Sequence, residues 1–255
     1  MSVKLHFDTA GNIENPTLVL AYKSGNKIGN IFNIDSLVFS EKMINDSSTF
    51  EFNVYKKIDD NIYRDWDKLT DFKLLWVPEW DKWFSLTVDT DSSNELVKKC
   101  EAISLGDAEL SQIKLYNIEI NTEDDIARDA YIPTVLYNPE NKEGSLLDRI
   151  MEKTSYTIKH VDKSIASIQR TFKFDNKTLI DAFQDISDEI GCLFIFDSGS
   201  DENGKPARTI SVYDLYDICT DCGYRDTSID VCPECGKTNI INGYGDDTTV
   251  FLNRD

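Results

Sequence analysis

Long hydrophobic runs are missing from this chain of 255 residues. Apolar stretches end after segments such as 192–196 and 74–77, far short of the roughly 20 apolar residues that a membrane-crossing helix needs, so no membrane insertion is expected. The opening Met1-Ser2-Val3-Lys4-Leu5-His6-Phe7-Asp8 lacks the apolar centre of a secretory signal and reads as a strand. Folding in a cytoplasm, where thiols stay reduced, is the expectation. Positive charge is scarce: 27 Lys and Arg stand against 46 Asp and Glu, a formal net charge of -19. Phosphate binding needs clustered cations, so no sequence-specific nucleic-acid recognition is expected, and a zinc-ribbon nucleic-acid binder is the disfavoured reading. Histidine is scarcer still. His6 and His160 lie far apart in strand-like contexts and read as surface or core-edge residues, because catalysis would need a partnered nucleophile or carboxylate that the sequence does not present. Gly-x-Ser-x-Gly, His-Glu-x-x-His and phosphate-loop patterns are absent. Carboxylates are too abundant for any pair to mark a glycosidase. No catalytic or cofactor-binding residue emerges.

What the chain does have is a cysteine pattern. Cys219-Thr220-Asp221-Cys222-Gly223 is followed after a nine-residue spacer by Cys232-Pro233-Glu234-Cys235-Gly236. Each Cys-x-x-Cys aims two thiolates at one point, and the glycine after it can take the positive φ such a turn wants. Cys219, Cys222, Cys232 and Cys235 are therefore the candidate metal ligands. Zn²⁺ is the expected occupant, since all-sulfur tetrahedra select zinc or iron, and four protein ligands leave no position for a reactive water. Two disulfides, a redox dithiol or free thiols are the alternatives for such a quartet. The spacer is shorter than the about 15–20 residues common for paired motifs, but it suits a small β-ribbon. A structural zinc supplies on the order of 10 kcal/mol in metal-folded peptides, enough to order such a ribbon with almost no apolar core.

Hydrophobic content of 40% and aromatic content of 11% argue for an ordered globular protein. The first part, 1–121, reads as a β-rich, barrel-like domain. Segments 17–22 and 27–32 flank Ser24-Gly25-Asn26 as a hairpin, 36–40 makes a short strand, and 49–55 alternates so that Phe50, Phe52 and Val54 share one face. Segments 72–77 and 83–88 enclose 78–82, gathering Trp76, Trp80 and Trp83 into a cluster that reads as core, with a partner-facing patch as the alternative. A strand over 95–104 contains Cys100, an ordinary small apolar residue. Helical turns over 106–113 and a strand over 115–121 follow.

The second part, 122–216, reads as an α/β domain. Thr122 caps a short helix whose acidic residues Glu123, Asp124, Asp125 and Asp129 suit a helix start better than a metal site. Ser145 caps a helix carrying Leu146, Leu147, Ile150 and Met151. Segments 156–161 and 165–174 read as strands. Asp175-Asn176 opens the clearest helix, striped by Leu179, Ile180, Phe183, Ile186 and Ile190 and stopped by Gly191. Residues 192–196 read as a central strand and 208–213 as its hairpin partner. Gly199-Ser200-Asp201-Glu202-Asn203-Gly204 between them has calcium-compatible oxygens but lacks EF-hand spacing. A zinc ribbon over 217–240 is inserted, and 241–255 resumes as a return strand that is expected to continue into a downstream region. The fold class is thus α+β and β-rich.

Beyond the pattern, the stretches Leu5-His6-Phe7-Asp8-Thr9-Ala10-Gly11-Asn12-Ile13-Glu14, Ala108-Glu109-Leu110-Ser111-Gln112-Ile113, Asn121-Thr122-Glu123-Asp124-Asp125-Ile126-Ala127-Arg128 and Gly243-Tyr244-Gly245-Asp246-Asp247-Thr248-Thr249 resemble the N-terminal region of tail-associated lysin, or prophage tail endopeptidase, proteins of phages and prophages of Gram-positive bacteria. The resemblance implies a baseplate hub at the tail tip: barrel-like β domains with an α/β insertion, assembled as a homotrimeric ring beneath the tail tube, beside a distal tail protein and a tape measure. The place implied is the virion tail tip, assembled in the host bacterial cytoplasm. The resemblance brings no catalytic residue to this region, so the chain is expected not to be an enzyme, with any catalytic module downstream. The alternative is part of a peptidoglycan or peptide hydrolase whose catalytic module lies outside the chain. An acidic wall also fits a channel that DNA crosses without sticking.

Overall fold

A computed structural model describes residues 15–41, 48–90, 96–122, 134–227 and 229–244. His6, the acidic cluster 123–129, the return strand after 244 and the resembling stretches 5–14, 123–128 and 245–249 lie outside the described residues. The chain divides into two compact units, one formed by 1–109 with 196–209, the other by 110–195 with 210–255.

In the first unit, strands β1 (Val19–Ala21), β2 (Lys27–Asn30), β3 (Ile34–Glu41) and β4 (Ser48–Tyr55) are followed by a small hairpin, β5 (Lys57–Ile58) and β6 (Asn61–Ile62). A 3-10 turn at Trp66–Lys68 leads into β7 (Lys73–Val77), β8 (Lys82–Thr90), β9 (Val97–Ser104) and helix α1 (Leu105–Leu110). Seven strands form one antiparallel sheet in the order β2-β1-β7-β8-β9-β4-β3. Among the described residues its edges β2 and β3 do not pair, so the expected barrel is here a curled half-barrel. Alternation sets its faces: Phe50, Phe52 and Val54 of β4 are buried while Glu51 is exposed. They join Leu20, Leu75, Phe84 and Leu86 in the main core.

Neighbouring positions point the other way. Leu74 and Trp83 bury with Ala21 and Leu105, and Trp76 packs on them. Trp76 and Trp83 face each other across β7 and β8 with ring centroids 5.9 Å apart. Trp80 stacks instead on Phe50 in the main core, at 5.4 Å. The three tryptophans are thus shared between two faces of one sheet, and Trp83 is fully buried. Segment 196–209 covers the Trp76–Trp83 side. Trp83 donates its indole N–H to Ser200 Oγ at 3.1 Å and its amide to the Ser198 carbonyl at 3.0 Å. Asp81 accepts from the Ser200 amide at 3.0 Å, from the Ser200 hydroxyl and from the Trp76 indole at 3.2 Å.

The second unit contains β10 (Lys114–Leu115), β11 (Ile118–Ile120), α2 (Leu146–Met151), β12 (Thr157–Val161), α3 (Lys163–Ala166), β13 (Phe172–Phe174), β14 (Lys177–Thr178) and α4 (Leu179–Ile190). After them come β15 (Cys192–Asp197), β16 (Thr209–Asp214), β17 (Asp217–Cys219), β18 (Arg225–Asp226) and β19 (Ile240–Ile241). Ser145 caps α2, accepting from the Asp148 amide. Helix α4 lays Phe183 on Phe194 of β15 at 4.7 Å and buries Leu179, Ile186 and Ile190 beside it.

Four local expectations are corrected here. The strand over 165–174 is the end of the short helix α3, which starts after Asp162, followed by β13 alone. The strand over 115–121 breaks at Asn117, whose φ of 51° sends β10 to β14 and β11 to β13. Asn176 is a matching corner with φ 53°, and α4 is capped by Thr178, whose reciprocal partner Asp181 lies three residues further on. Among the described residues the run 192–196 is an edge strand, since the sheet order β12-β16-β15 puts β16 in the middle.

Candidate metal centre

The cysteine quartet is built from two turns with the same backbone pattern. In the first, the Gly223 amide donates to the Cys219 carbonyl at 2.8 Å and the Cys219 amide to the Tyr224 carbonyl at 2.9 Å. In the second, Gly236 donates to Cys232 at 2.8 Å and Cys232 to the Lys237 carbonyl at 2.8 Å. Gly223 and Gly236 hold φ of 78° and 68°, the left-handed region that a side chain would strain. The four Sγ atoms lie within 4.8 Å of one another. The two turns face each other, with Cys219 and Cys235 at 3.5 Å and Cys222 and Cys232 at 3.5 Å between sulfurs.

A tetrahedron of thiolates around an ion with metal–sulfur bonds of about 2.3 Å has edges of about 3.8 Å. The observed spacings bracket that value, so the donor set fits a metal of that size, and all six cysteines are free thiols. Local amides favour the charged form. Burial pushes the Cys219 thiol up, yet the N–H groups of Asp221 and Cys222 and the neighbouring thiols more than offset it and bring it down to about 7. At Cys222 the Tyr224 amide pulls down, but the proton shared with Cys232, together with burial, holds the thiol up at about 12. Cys235 is also raised, burial and the neighbouring thiols outweighing the Lys237 amide. A cluster sharing protons in this way is one whose protons a cation can replace.

Side chains that sequence reasoning missed tie the turns together and to the second unit. Asp221, inside the first turn, accepts from Lys237 Nζ at 2.9 Å and Asn239 Nδ2 at 2.8 Å, both just beyond the second. Lys237 and Asn239 hold the Asp221 carboxyl below the usual carboxylate range. Asp217, buried at the start of β17, accepts from the amides of Ile229 at 2.7 Å and Gly243 at 2.8 Å. Arg225 of β18 makes a forked pair with buried Asp214 of β16, at 3.0 and 2.6 Å, and Asp214 also accepts from Ser164 Oγ at 2.7 Å. Among 46 acidic residues nothing in the sequence marks these.

The other candidates assemble nothing comparable. His160 Nε2 lies 2.7 Å from Asp162 Oδ1 on a half-exposed strand and against Tyr213, while Asp162 Oδ2 accepts from the Asp214 amide. In the 199–204 loop, Asp201 Oδ1 accepts from the Asn203 and Lys205 amides, both at 2.8 Å, so it closes its own turn. Cys100 and Cys192 are buried, and burial pushes both thiols up to about 12. No helix among the described residues is long and apolar enough to cross a membrane.

Against known proteins, no family model matches the chain, and no curated protein sequence does. Among solved structures, the chain is similar to the 43 kDa tail protein of prophage MuSo2 from Shewanella oneidensis, with a TM-score of 0.41 and 10% identity. The match covers 81% of this chain and spans 58% of that protein's length.

Proposed function

We propose that this chain is a structural component of a phage or prophage tail tip, a baseplate hub whose copies form a trimeric ring beneath the tail tube. A structural Zn²⁺ is held by Cys219, Cys222, Cys232 and Cys235. The tail assignment is supported by the sequence resemblance to tail-associated lysins. The observation that carries the structural role is the convergence of four sulfurs within 4.8 Å on two matched turns. Bound to one ion they close its shell, and the ion then folds the ribbon and activates no water. Partners in this reading are other copies of the chain, the distal tail protein and the tape measure. The place is the virion tail tip, with any hydrolase module lying outside this chain.

Light scattering coupled to metal analysis tests both halves. One zinc per chain and a trimer mass are expected. Iron would show as thiolate-to-metal absorption in the visible, and a metal-free, folded chain would end the structural-zinc reading. Clearing of a cell-wall suspension by this chain alone would replace scaffold with enzyme.

A further inference from the structure

Residues 240–244 lie beyond the last cysteine, yet they dock through the first. Strand β19 pairs with β17, Ile240 opposite Cys219 and Ile241 opposite Ile218. The Gly243 amide donates to Asp217 Oδ1 at 2.8 Å, and the Tyr244 amide to the Asp214 carbonyl at 2.7 Å. The Tyr244 ring stacks on Tyr213 at 4.4 Å. Gly243 fits where it does because it has no side chain: a Cβ there would meet the Leu215 carbonyl oxygen at 2.4 Å.

Three of these contacts depend on the geometry of β17, a strand that ends on a ligand. Cys219 is its last residue and Asp217 its first. The second turn reaches the same place from the other side, since the Thr220 amide donates to the Asn239 carbonyl at 2.9 Å, one residue before β19. Little apolar burial holds the ribbon itself. Ile229 and the sulfurs of Cys219 and Cys232 are its buried apolar groups among the described residues.

We propose that the metal centre is a latch for residues 240–244: filling the quartet fixes β17, and β17 fixes 240–244 against β16. Emptying it frees 240–244, including the Tyr244 ring, while α4 and β15 keep their own packing. The proposal rests on the quartet binding metal. It adds that occupancy sets whether 240–244 stay docked on β17 and β16.

Linkage makes this measurable from both ends, because docking of 240–244 and metal affinity must change each other by the same factor. Hydrogen exchange is read on the whole chain with Zn²⁺ and after chelation, while Zn²⁺ binding is measured by competition with a chromophoric chelator. The amides of Ile240, Gly243 and Tyr244 are expected to exchange at least about tenfold faster without metal, with those of α4 unchanged as the control for folding. Gly243→Ala touches no ligand, yet is expected to weaken Zn²⁺ by the factor it costs in docking. Zinc bound with unchanged exchange at 240–244, or Gly243→Ala undocked at full affinity, overturns the latch and leaves the metal reading standing. No zinc bound by the unsubstituted chain removes both.

Discussion

Arg225 and Asp214 pair where water scarcely reaches, the arginine side chain 19% exposed and the carboxylate 4%. Removing one member of such a pair leaves the other charge buried, which costs about 3–5 kcal/mol in comparable cases, more than the intact pair contributes. Arg225→Ala is therefore expected to destabilise the second unit by about 2–4 kcal/mol in urea titrations with zinc saturating. Arg225→Lys is expected to recover only part, because an ammonium cannot reproduce the fork to both oxygens. Asp81 offers a test in pH. Burial works against its charge, but the donors from Ser200 and Trp76 and the Lys27 ammonium outweigh it and hold the carboxyl below its ordinary value. A carboxyl depressed in the fold binds fewer protons there than in the unfolded chain. Its contribution is thus present above about pH 4 and lost as pH falls through the lower folded value. Thermal unfolding of Asp81→Asn, compared with the unsubstituted chain at pH 5 and pH 3, is expected to show a smaller loss on acidification.

At the scale of elements, α4 shows what a sequence reveals and what it hides. Its apolar stripe and the stop at Gly191, φ 75°, are legible because they are local. Its cap is not, since Asp175-Asn176 and Thr178 look alike as starts until the corner at Asn176 is seen to serve the β13–β14 turn. Thr178 and Asp181 exchange hydrogen bonds in a capping box, so Thr178→Ala is expected to cost about 1 kcal/mol by denaturant midpoint, with an unchanged slope. The same division holds at the cysteine cluster. The four cysteines announce themselves by spacing, but Asp214, Asp217, Asp221 and Arg225 act through partners 11 to 50 positions away. The run 192–196 misleads for a related reason: apolarity reports burial, and α4 buries an edge strand as effectively as a second neighbour would. Nor does any local pattern tell that 196–209 returns to cover Trp83.

At the scale of the whole molecule, the four clustered cysteines are the place where a metal ion could bind. Each unit has buried aromatic and aliphatic side chains of its own, Phe50, Phe84 and Trp83 in one, Phe174, Phe194 and Leu147 in the other, so neither depends on the quartet for its core. Chelation is expected to leave far-ultraviolet circular dichroism nearly unchanged while opening the ribbon to protease between Cys219 and Cys235. Cys222→Ser is expected to do the same at any zinc concentration. The proton count gives the sharper prediction. Cys222, held up at about 12, and Cys235, raised above the ordinary thiol value, carry their protons at neutral pH. Coordination requires all four as thiolates, so each ion bound at pH 7 should release at least about two protons. Affinity should then rise roughly a hundredfold or more per pH unit around neutrality, the direction following from proton release on binding. Calorimetry of zinc binding in buffers of different ionisation enthalpy reads that number directly. A value near zero would mean that the sulfurs lose no protons to the metal and that the ion, wherever it binds, is not held by this quartet.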